Sequence, residues 1–173
     1  MSINRIHILG TPGSGKTFLA KKLSHALRIK HYDLDDIFWK RKYNEKRKEN
    51  ERNKLLNKIC KGKRWIIEGA YSSWVEKSIK GSDLVIWIDM PFHTLMWRIF
   101  GRYFKRRKQK HQENWKDILA LAKYVRNYKR DNQPAGYYKH KELIEKHKVD
   151  FVYIKSKKEL DGFFKDFLGK LTS

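Results

Sequence analysis

The chain has 173 residues, is 40% hydrophobic, and carries 41 Lys and Arg against 19 Asp and Glu, a formal net charge of +22. This length fits one domain around one core, and its longest apolar runs, such as LVIWI, are far below the roughly 20 residues of a membrane-spanning helix. Cys60 is the single cysteine, which excludes an internal disulfide framework and a cysteine-rich zinc site, so we expect a cytoplasmic protein.

Short β-rich runs alternate with helical patterns along the whole chain. Strands are predicted at residues 3–9, 29–34, 64–68, 83–89 and 150–155, and helices at 15–27, 36–61, 71–80, 92–108, 114–130, 137–147 and 157–170. Most of the strands lack polar alternation, which is typical of a parallel sheet covered on both faces. The order predicts a three-layer α/β/α sandwich with five strands joined by helical crossovers.

Residues 10–17, GTPGSGKT, match the phosphate-loop pattern G-x-x-x-x-G-K-[ST] between a predicted strand and a predicted helix. Glycines let the backbone turn so that consecutive N–H groups point at phosphate oxygens. Lys16 would bridge the β- and γ-phosphates, and the Thr17 hydroxyl would bind Mg²⁺. We therefore predict ATP and Mg²⁺ as cofactors, with the nucleotide bound by Gly10, Gly13, Ser14, Gly15, Lys16 and Thr17.

Acidic residues follow three of the other predicted strands, at the edge where parallel sheets bind their ligands. Asp33 and Asp35 come just after the second strand, with Asp36 as the expected helix N-cap, while Glu68 ends the third strand and Asp89 the fourth. We assign Asp33 to the Mg²⁺ shell, Asp35 to the acceptor hydroxyl as its base, and Glu68 to either role. Asp89 is either a site carboxylate or a simple strand end. The alternative for Asp33 and Asp35 is that both cap a helix.

Four segments carry a family resemblance: GTPGSGKT, YDLDDIFW, WIIEGAYS and DMP, in this order. Together they resemble the adenylate-kinase-like P-loop kinases. Within that group the chain is most similar to the small bacterial family of DNA topology modulation proteins (FlaR-like), whose members pair L-D-x-[IL]-F-W with W-I-I-[DE]-G-x-Y-S. The match covers residues 3–107 and, more loosely, 148–170.

The resemblance implies a single P-loop kinase domain, 1–173, with a sheet in the order 2-3-1-4-5. Its parts would be a core (1–35, 64–97 and 148–173), a helical acceptor-binding region (36–63), and a basic lid with the helices that follow it (98–147). Asp35, Glu68 and Arg98 match family positions. Nucleoside monophosphate kinases have Asp-Gly-Phe-Pro-Arg where residues 68–72 read EGAYS, so the arginine that clamps an acceptor monophosphate is missing, which argues against plain adenylate kinase activity.

The basic residues concentrate in two segments: residues 40–64 carry a net charge of +9 and residues 91–148 carry +11. Arginines that close over a transferred phosphoryl group stabilise its developing charge. Arg98 and Arg102 are one helical turn apart and would face the same way, so we predict that both are catalytic together with Lys16 and Asp35. Further candidates are Arg106, Arg107, Arg126 and Arg130.

These features predict an ATP- and Mg²⁺-dependent phosphotransferase whose partners are ATP and a small phosphate acceptor of unidentified structure. One alternative is an ATP-dependent protein that binds nucleic-acid ends or affects DNA topology, because aromatic and basic residues interleave at 35–43, 97–107 and 123–139. Another is a nucleotide-binding regulator with little catalysis. The kinase hypothesis is favoured because Phe38, Trp39, Trp97 and Phe100 are spaced as core or acceptor-pocket residues.

Overall fold

The computed structural model describes residues 3–41, 45–108, 115–130, 133 and 135–172, with the backbone alone at 105–108 and 170–172. The strands are β1 (Arg5–Gly10), β2 (His31–Asp33), β3 (Trp39–Arg41), β4 (Glu45–Lys46), β5 (Trp65–Gly69), β6 (Leu84–Ile88) and β7 (Phe151–Ile154). The helices are α1 (Lys16–Leu27), α2 (Leu34–Phe38), α3 (Glu49–Cys60), α4 (Glu76–Lys80), α5 (Phe92–Lys108), α6 (Trp115–Asn127), α7 (Tyr137–His147) and α8 (Lys157–Thr172).

Five strands form one parallel sheet in the order β2-β5-β1-β6-β7. Counted along the chain, these are the second, third, first, fourth and fifth strands of the sheet, so the predicted order 2-3-1-4-5 is confirmed. The register aligns Ile8 with Glu68 and Gly10 with Ile88 across β1, and Asp33 with Glu68 across the β2–β5 pair. The carboxyl ends of β1, β2 and β5 therefore meet at one edge.

Side chains along β1 point alternately to the two faces of the sheet, and each face carries one hydrophobic cluster. Ile6 and Ile8 pack with residues of α1, α5, α6 and α8, whereas Leu9 packs with residues of α2, α3, α4 and α7. Each fully buried isoleucine or leucine stabilises the fold by about 1.5–3 kcal/mol. No helix in the described part of the chain is both long enough and apolar enough to cross a membrane.

The predicted single helix at 36–61 is wrong. The segment holds α2, the antiparallel pair β3 and β4, and α3. The Asp33 side chain accepts a hydrogen bond from Asp35 N and starts α2 two residues earlier than predicted. The chain becomes extended at Trp39, and Arg47 then donates from its backbone N to Phe38 O over 2.8 Å. Local helical periodicity carries no sign of these tertiary hydrogen bonds.

The predicted position of Trp97 is also wrong. Its side chain is 82% exposed on α5, although the sequence pattern put it in the core or in the acceptor pocket. Phe100, three residues further along the same helix, packs against the core cluster as predicted. The hydrophobic face of α5 is built from Leu95, Ile99 and Tyr103, and Trp97 lies outside that stripe.

Candidate active site

The phosphate loop runs from the end of β1 into the start of α1 at Lys16. All three of its glycines have backbone angles that other residues rarely adopt: φ is 150° at Gly10, 79° at Gly13 and 102° at Gly15. A Cβ atom at Gly10 would lie 2.3 Å from the carbonyl oxygen of Ile88 on the neighbouring strand. The loop therefore depends on glycine at this position both for its backbone angle and for the close approach of β1 to β6.

A Gly10→Ala substitution is expected to destabilise the protein by about 2–4 kcal/mol, because it adds both a strained φ and a backbone clash. For a chain of this size the melting temperature should fall by about 5–15 °C. Gly162→Ala is the matched control, because nothing lies within 4 Å of its added Cβ and alanine favours its helix. Equal melting temperatures for the two variants would contradict the close β1–β6 approach.

Lys16 and Thr17 are tied to the loop and to the end of β5. Lys16 is only 8% exposed, and its Nζ donates to the carbonyl oxygen of Thr11 over 3.0 Å. Burial lowers the pKa of Lys16, and the nearby carboxylates, Glu68 foremost, oppose this. The Thr17 hydroxyl donates to Glu68 Oε1 over 2.6 Å. A buried ammonium group and a hydroxyl–carboxylate pair thus stand side by side at the mouth of the loop.

Glu68 is the most buried carboxylate of the site, with 2% exposure. Burial by itself would raise the pKa of Glu68. The nearby His31, the charge of Lys16 and the hydrogen bond from Thr17 together outweigh burial and hold that pKa below its ordinary value. His31 Nε2 lies 3.7 Å from Glu68 Oε1. Glu68 is therefore an ionised group beside the loop.

Asp33 and Asp35 line the same cleft as Glu68. Asp33 is the N-cap of α2 and also faces the cleft, so the N-cap prediction for Asp36 is wrong: Asp36 lies inside the first helical turn. Asp35 Oδ1 accepts a hydrogen bond from the Tyr71 hydroxyl over 2.8 Å. Asp33 thus begins the helix α2, and the first turn of that helix places Asp35 in the cleft.

Asp89 takes no part in the cleft. Its carboxylate is 2.8 Å from Lys129 Nζ and accepts a hydrogen bond from the Tyr153 hydroxyl, and it is absent from the residues that line the cleft among those the structure describes. It ties the end of β6 to β7 and to the segment after α6. The sequence left open whether Asp89 is a site carboxylate or a strand end, and these contacts favour the structural role.

The two arginines predicted on α5 both line the cleft. Arg98 Nη1 donates to the carbonyl oxygens of Gly13 and Ser14 over 3.2 and 3.0 Å, so it fastens the outer turn of the phosphate loop. Arg102 is exposed, and its charge adds to the lowering of the Lys16 pKa. Arg126 and Arg130 are exposed and do not line the cleft. The side chains of Arg106 and Arg107 lie outside the described residues.

The cleft has a volume of about 850 Å³ and is bounded on its far side by α6. The sequence analysis missed this wall. Its residues on α6 are Asp117, Ile118, Ala120, Leu121 and Tyr124, and Ala135 lies next to them in the cleft lining. The Tyr124 hydroxyl donates to Ala135 O over 2.6 Å and so holds the end of the wall in place. The sequence also assigned no role to Tyr71, which lines the cleft, whereas Trp39, expected in the core or the acceptor pocket, does line it.

A buried hydrogen-bond chain connects the segment after α6 to the turn after β5. Trp87 Nε1 donates to the Tyr128 hydroxyl over 3.0 Å, and that hydroxyl lies 2.8 Å from His140 Nδ1. His140 Nε2 lies 3.1 Å from Ala70 O. Because a carbonyl only accepts, Nε2 carries the proton, Nδ1 accepts from Tyr128, and the ring is neutral. His7 is fully buried, and neither of its ring nitrogens has a hydrogen-bond partner among the residues that the structure describes.

These two histidines make stability depend on pH. Burial lowers the pKa of His7 to about 3 and that of His140 to about 4. Above the unfolded value of 6.5 both rings are neutral in both states, but as pH falls below it the unfolded chain binds two protons that the folded chain does not. The free energy of unfolding is expected to drop by about 2–4 kcal/mol between pH 7 and pH 5.

Urea unfolding at both pH values measures this loss. His7→Leu replaces a fully buried ring by an apolar side chain and should roughly halve the loss. His93 is exposed, and His93→Asn should leave the loss unchanged. The same pH dependence in all three proteins would contradict the assignment.

The site fits a nucleotide with its magnesium ion. The glycine-built cradle leaves the Thr11 and Ser14 hydroxyls buried without a hydrogen-bond partner in the part of the chain that the structure describes. Thr17, Asp33 and Glu68 supply the oxygen donors that Mg²⁺ prefers. Across the described residues no group of three or more His, Cys, Asp or Glu side chains could hold a metal ion. Phosphate oxygens and water would complete the shell, as is usual for Mg²⁺.

Comparison with known proteins agrees with this architecture. A family model described as AAA domain matches residues 6–120. The uncharacterized protein YqaC of Bacillus subtilis (strain 168) is 36% identical over 102 residues, which cover 58% of this chain and 57% of YqaC.

Solved structures of three shikimate kinases have a similar fold. The enzyme from Acinetobacter baumannii, in complex with shikimate, has a TM-score of 0.61 at 16% identity, covering 99% of this chain and 94% of that one. The enzyme from Aquifex aeolicus has a TM-score of 0.52 at 20% identity, covering 97% and 96%. The enzyme from Bacteroides thetaiotaomicron has a TM-score of 0.53 at 14% identity, covering 99% and 100%.

Proposed function

The chain belongs to the AAA domain family, and we propose that it is an ATP- and Mg²⁺-dependent phosphotransferase that acts on a small acceptor in the cytoplasm. The observation that carries the proposal is the cleft itself, in which Lys16 and Thr17 face Asp33, Asp35 and Glu68. A phosphate loop alone fits any nucleotide-binding protein. Carboxylates opposite the loop, in a cleft large enough for a second molecule, favour transfer to an acceptor.

The phosphate half would bind ATP. The loop N–H groups and the Lys16 ammonium would hold the β- and γ-phosphates, and Arg102 would approach the transferred group from α5. Arg98 already donates to two loop carbonyls, so its first role would be to keep the loop in its binding shape. Mg²⁺ would be held by Thr17 with Asp33 or Glu68. When bound, it would neutralise part of the negative charge of the phosphates.

The acceptor half would use Asp35. Its carboxylate lies at the start of α2 and is oriented by the Tyr71 hydroxyl. A carboxylate in that position takes the proton of an attacking hydroxyl as the new oxygen–phosphorus bond forms. We further propose that the chain is one kinase domain with an acceptor-binding region at 36–63 and a lid region at 98–147 that includes α6. We also propose that it belongs to the FlaR-like branch of the adenylate-kinase-like kinases. The segments YDLDDIFW and WIIEGAYS are the features that support this membership.

The test is transfer of a radiolabelled γ-phosphate from ATP to members of an acceptor panel, in the presence of Mg²⁺ and after its removal with a chelator. Label that moves to an acceptor only with Mg²⁺ supports the proposal. ATP hydrolysis that no acceptor stimulates would contradict it, and nucleotide binding without any turnover would favour a regulator.

A second candidate function is single-stranded nucleic-acid binding. Trp97 and Phe104 are 82% and 57% exposed on α5, and they lie seven residues apart, on one side of the helix. Exposed rings beside cations hold single strands by stacking. Oligonucleotide binding that weakens steeply with added salt, and that is lost in Trp97→Ala, would support this function.

A further inference from the structure

The described lining of the cleft has more acidic than basic side chains, whereas the chain as a whole has more basic than acidic ones. The whole protein has 41 basic and 19 acidic residues, but the described cleft lining has only three cations against four carboxylates, Asp33, Asp35, Glu68 and Asp117. A strongly basic protein has thus gathered an acidic excess at one place. A ligand that enters this cleft meets a different field from one that approaches the outer surface.

The three cations all belong to the phosphate half. Lys16 Nζ is bound to the Thr11 carbonyl, and Arg98 Nη1 to the Gly13 and Ser14 carbonyls. Arg102 follows Arg98 by one helical turn, close enough to affect the Lys16 pKa. The lining described by the structure has no other lysine or arginine, so the positive charge of this described lining lies on the side that would bind the phosphates of the donor.

Carboxylates and aromatic rings make up the opposite half. If Asp33 and Glu68 serve Mg²⁺, Asp35 and Asp117 remain, one on each side of the cleft. Tyr71 occupies one acceptor site of the Asp35 carboxylate, and an ionised carboxylate has about four. The remaining sites accept hydrogen bonds from hydroxyl or ammonium groups and repel phosphate and carboxylate groups.

An aromatic shelf lies beside Asp35. Phe38 packs against Trp39 edge to face and stacks on Tyr71, with both centroid distances 5.0 Å, and Trp39 and Tyr71 both line the cleft. Lys46 lies 5.9 and 6.0 Å from the Phe38 and Trp39 ring centroids, but it is exposed and does not line the cleft. Ring faces of this kind pack on the flat faces of other rings, including the C–H face of a sugar.

From these observations we infer that the acceptor is an uncharged or cationic ring compound with hydroxyl groups, such as a nucleoside, a sugar or an aminosugar, and carries no phosphate or carboxylate. The inference rests on the proposed phosphotransferase function. In the transfer, the acceptor O–H bond breaks and its proton passes to Asp35. The acceptor oxygen bonds to the γ-phosphorus, and the bond from that phosphorus to the β–γ bridging oxygen breaks, which releases ADP.

The test compares acceptor pairs that differ in one anionic group: methyl shikimate with shikimate, methyl glucoside with methyl glucuronide, and thymidine with thymidine 3′-monophosphate. Label transfer from ATP is measured for each, and products are identified by mass spectrometry. For every pair in which at least one member receives label, kcat/KM should be at least about tenfold higher for the uncharged member. Asp117→Asn should reduce this preference at least about threefold, and Asp161→Asn, an exposed carboxylate on α8 outside the cleft, should leave it unchanged.

Failure of the inference can be told apart from failure of the function. Equal or better use of the anionic members would overturn the acceptor class and leave the phosphotransferase standing. A preference for a thymidine oligonucleotide over thymidine would also overturn the class, in favour of a nucleic-acid substrate. If no member of any pair, charged or uncharged, receives label, the phosphotransferase function fails and the inference fails with it.

Discussion

Replacing Lys16 with alanine is expected to lower kcat for phosphoryl transfer by about 10³-fold, equivalent to about 4 kcal/mol of transition-state stabilisation. The Lys16 ammonium lies inside the loop, 8% exposed, where water screens its charge poorly and its effect on the transferred group is correspondingly large. Steady-state kinetics with a neutral acceptor measure the loss. Lys16→Arg should not restore activity, because a planar guanidinium does not fit a site built around a compact ammonium.

Stability measurements separate this effect from misfolding. Burial already lowers the Lys16 pKa, so the folded state gains little from that charge, and the melting temperature of Lys16→Ala should stay within a few degrees of the wild-type value. Lys21→Ala removes an exposed lysine from the same helix and should keep full activity. A Lys16→Ala protein with kcat within tenfold of wild type would show that the loop is not the donor site.

Asp35→Asn is expected to reduce kcat by about 10²-fold or more while the KM for ATP changes little. The amide keeps the shape of the carboxylate but cannot take the proton of the acceptor hydroxyl, and general-base catalysis is worth about 10²–10⁴-fold. ATP should bind normally, because in the part of the chain that the structure describes the Asp35 carboxylate makes no hydrogen bond to the phosphate loop and accepts one from Tyr71.

The adjacent carboxylate provides the control. Asp36 is exposed in the same first turn of α2, so Asp36→Asn removes the same favourable charge from the helix N-terminus, worth about 0.3–1 kcal/mol. It should keep full kcat. Comparable losses in the two variants would mean that the charge stabilises α2 and that Asp35 is not the base.

Local patterns in the sequence were enough for the core of the fold. Strands of apolar residues without polar alternation require a sheet covered on both faces, and the order of strands and helices then requires parallel crossovers. The glycine spacing of residues 10–17 specifies a loop conformation that side chains with a Cβ rarely adopt, as the φ values of Gly10, Gly13 and Gly15 confirm. These features depend on neighbours in the chain, so a pattern can predict them.

Tertiary contacts decided what surrounds the loop. The break in the predicted helix at 36–61 depends on hydrogen bonds from Arg47 to a segment that precedes it by about ten residues, and the wall formed by α6 depends on packing between α5 and α6. Asp35 and Tyr71 meet across 36 positions of sequence, a distance at which no periodicity connects two residues. The sequence by itself therefore determined the sheet and the phosphate loop and singled out Asp35. Only the folded chain showed how the acceptor half of the cleft is assembled, because side chains from separate elements meet there.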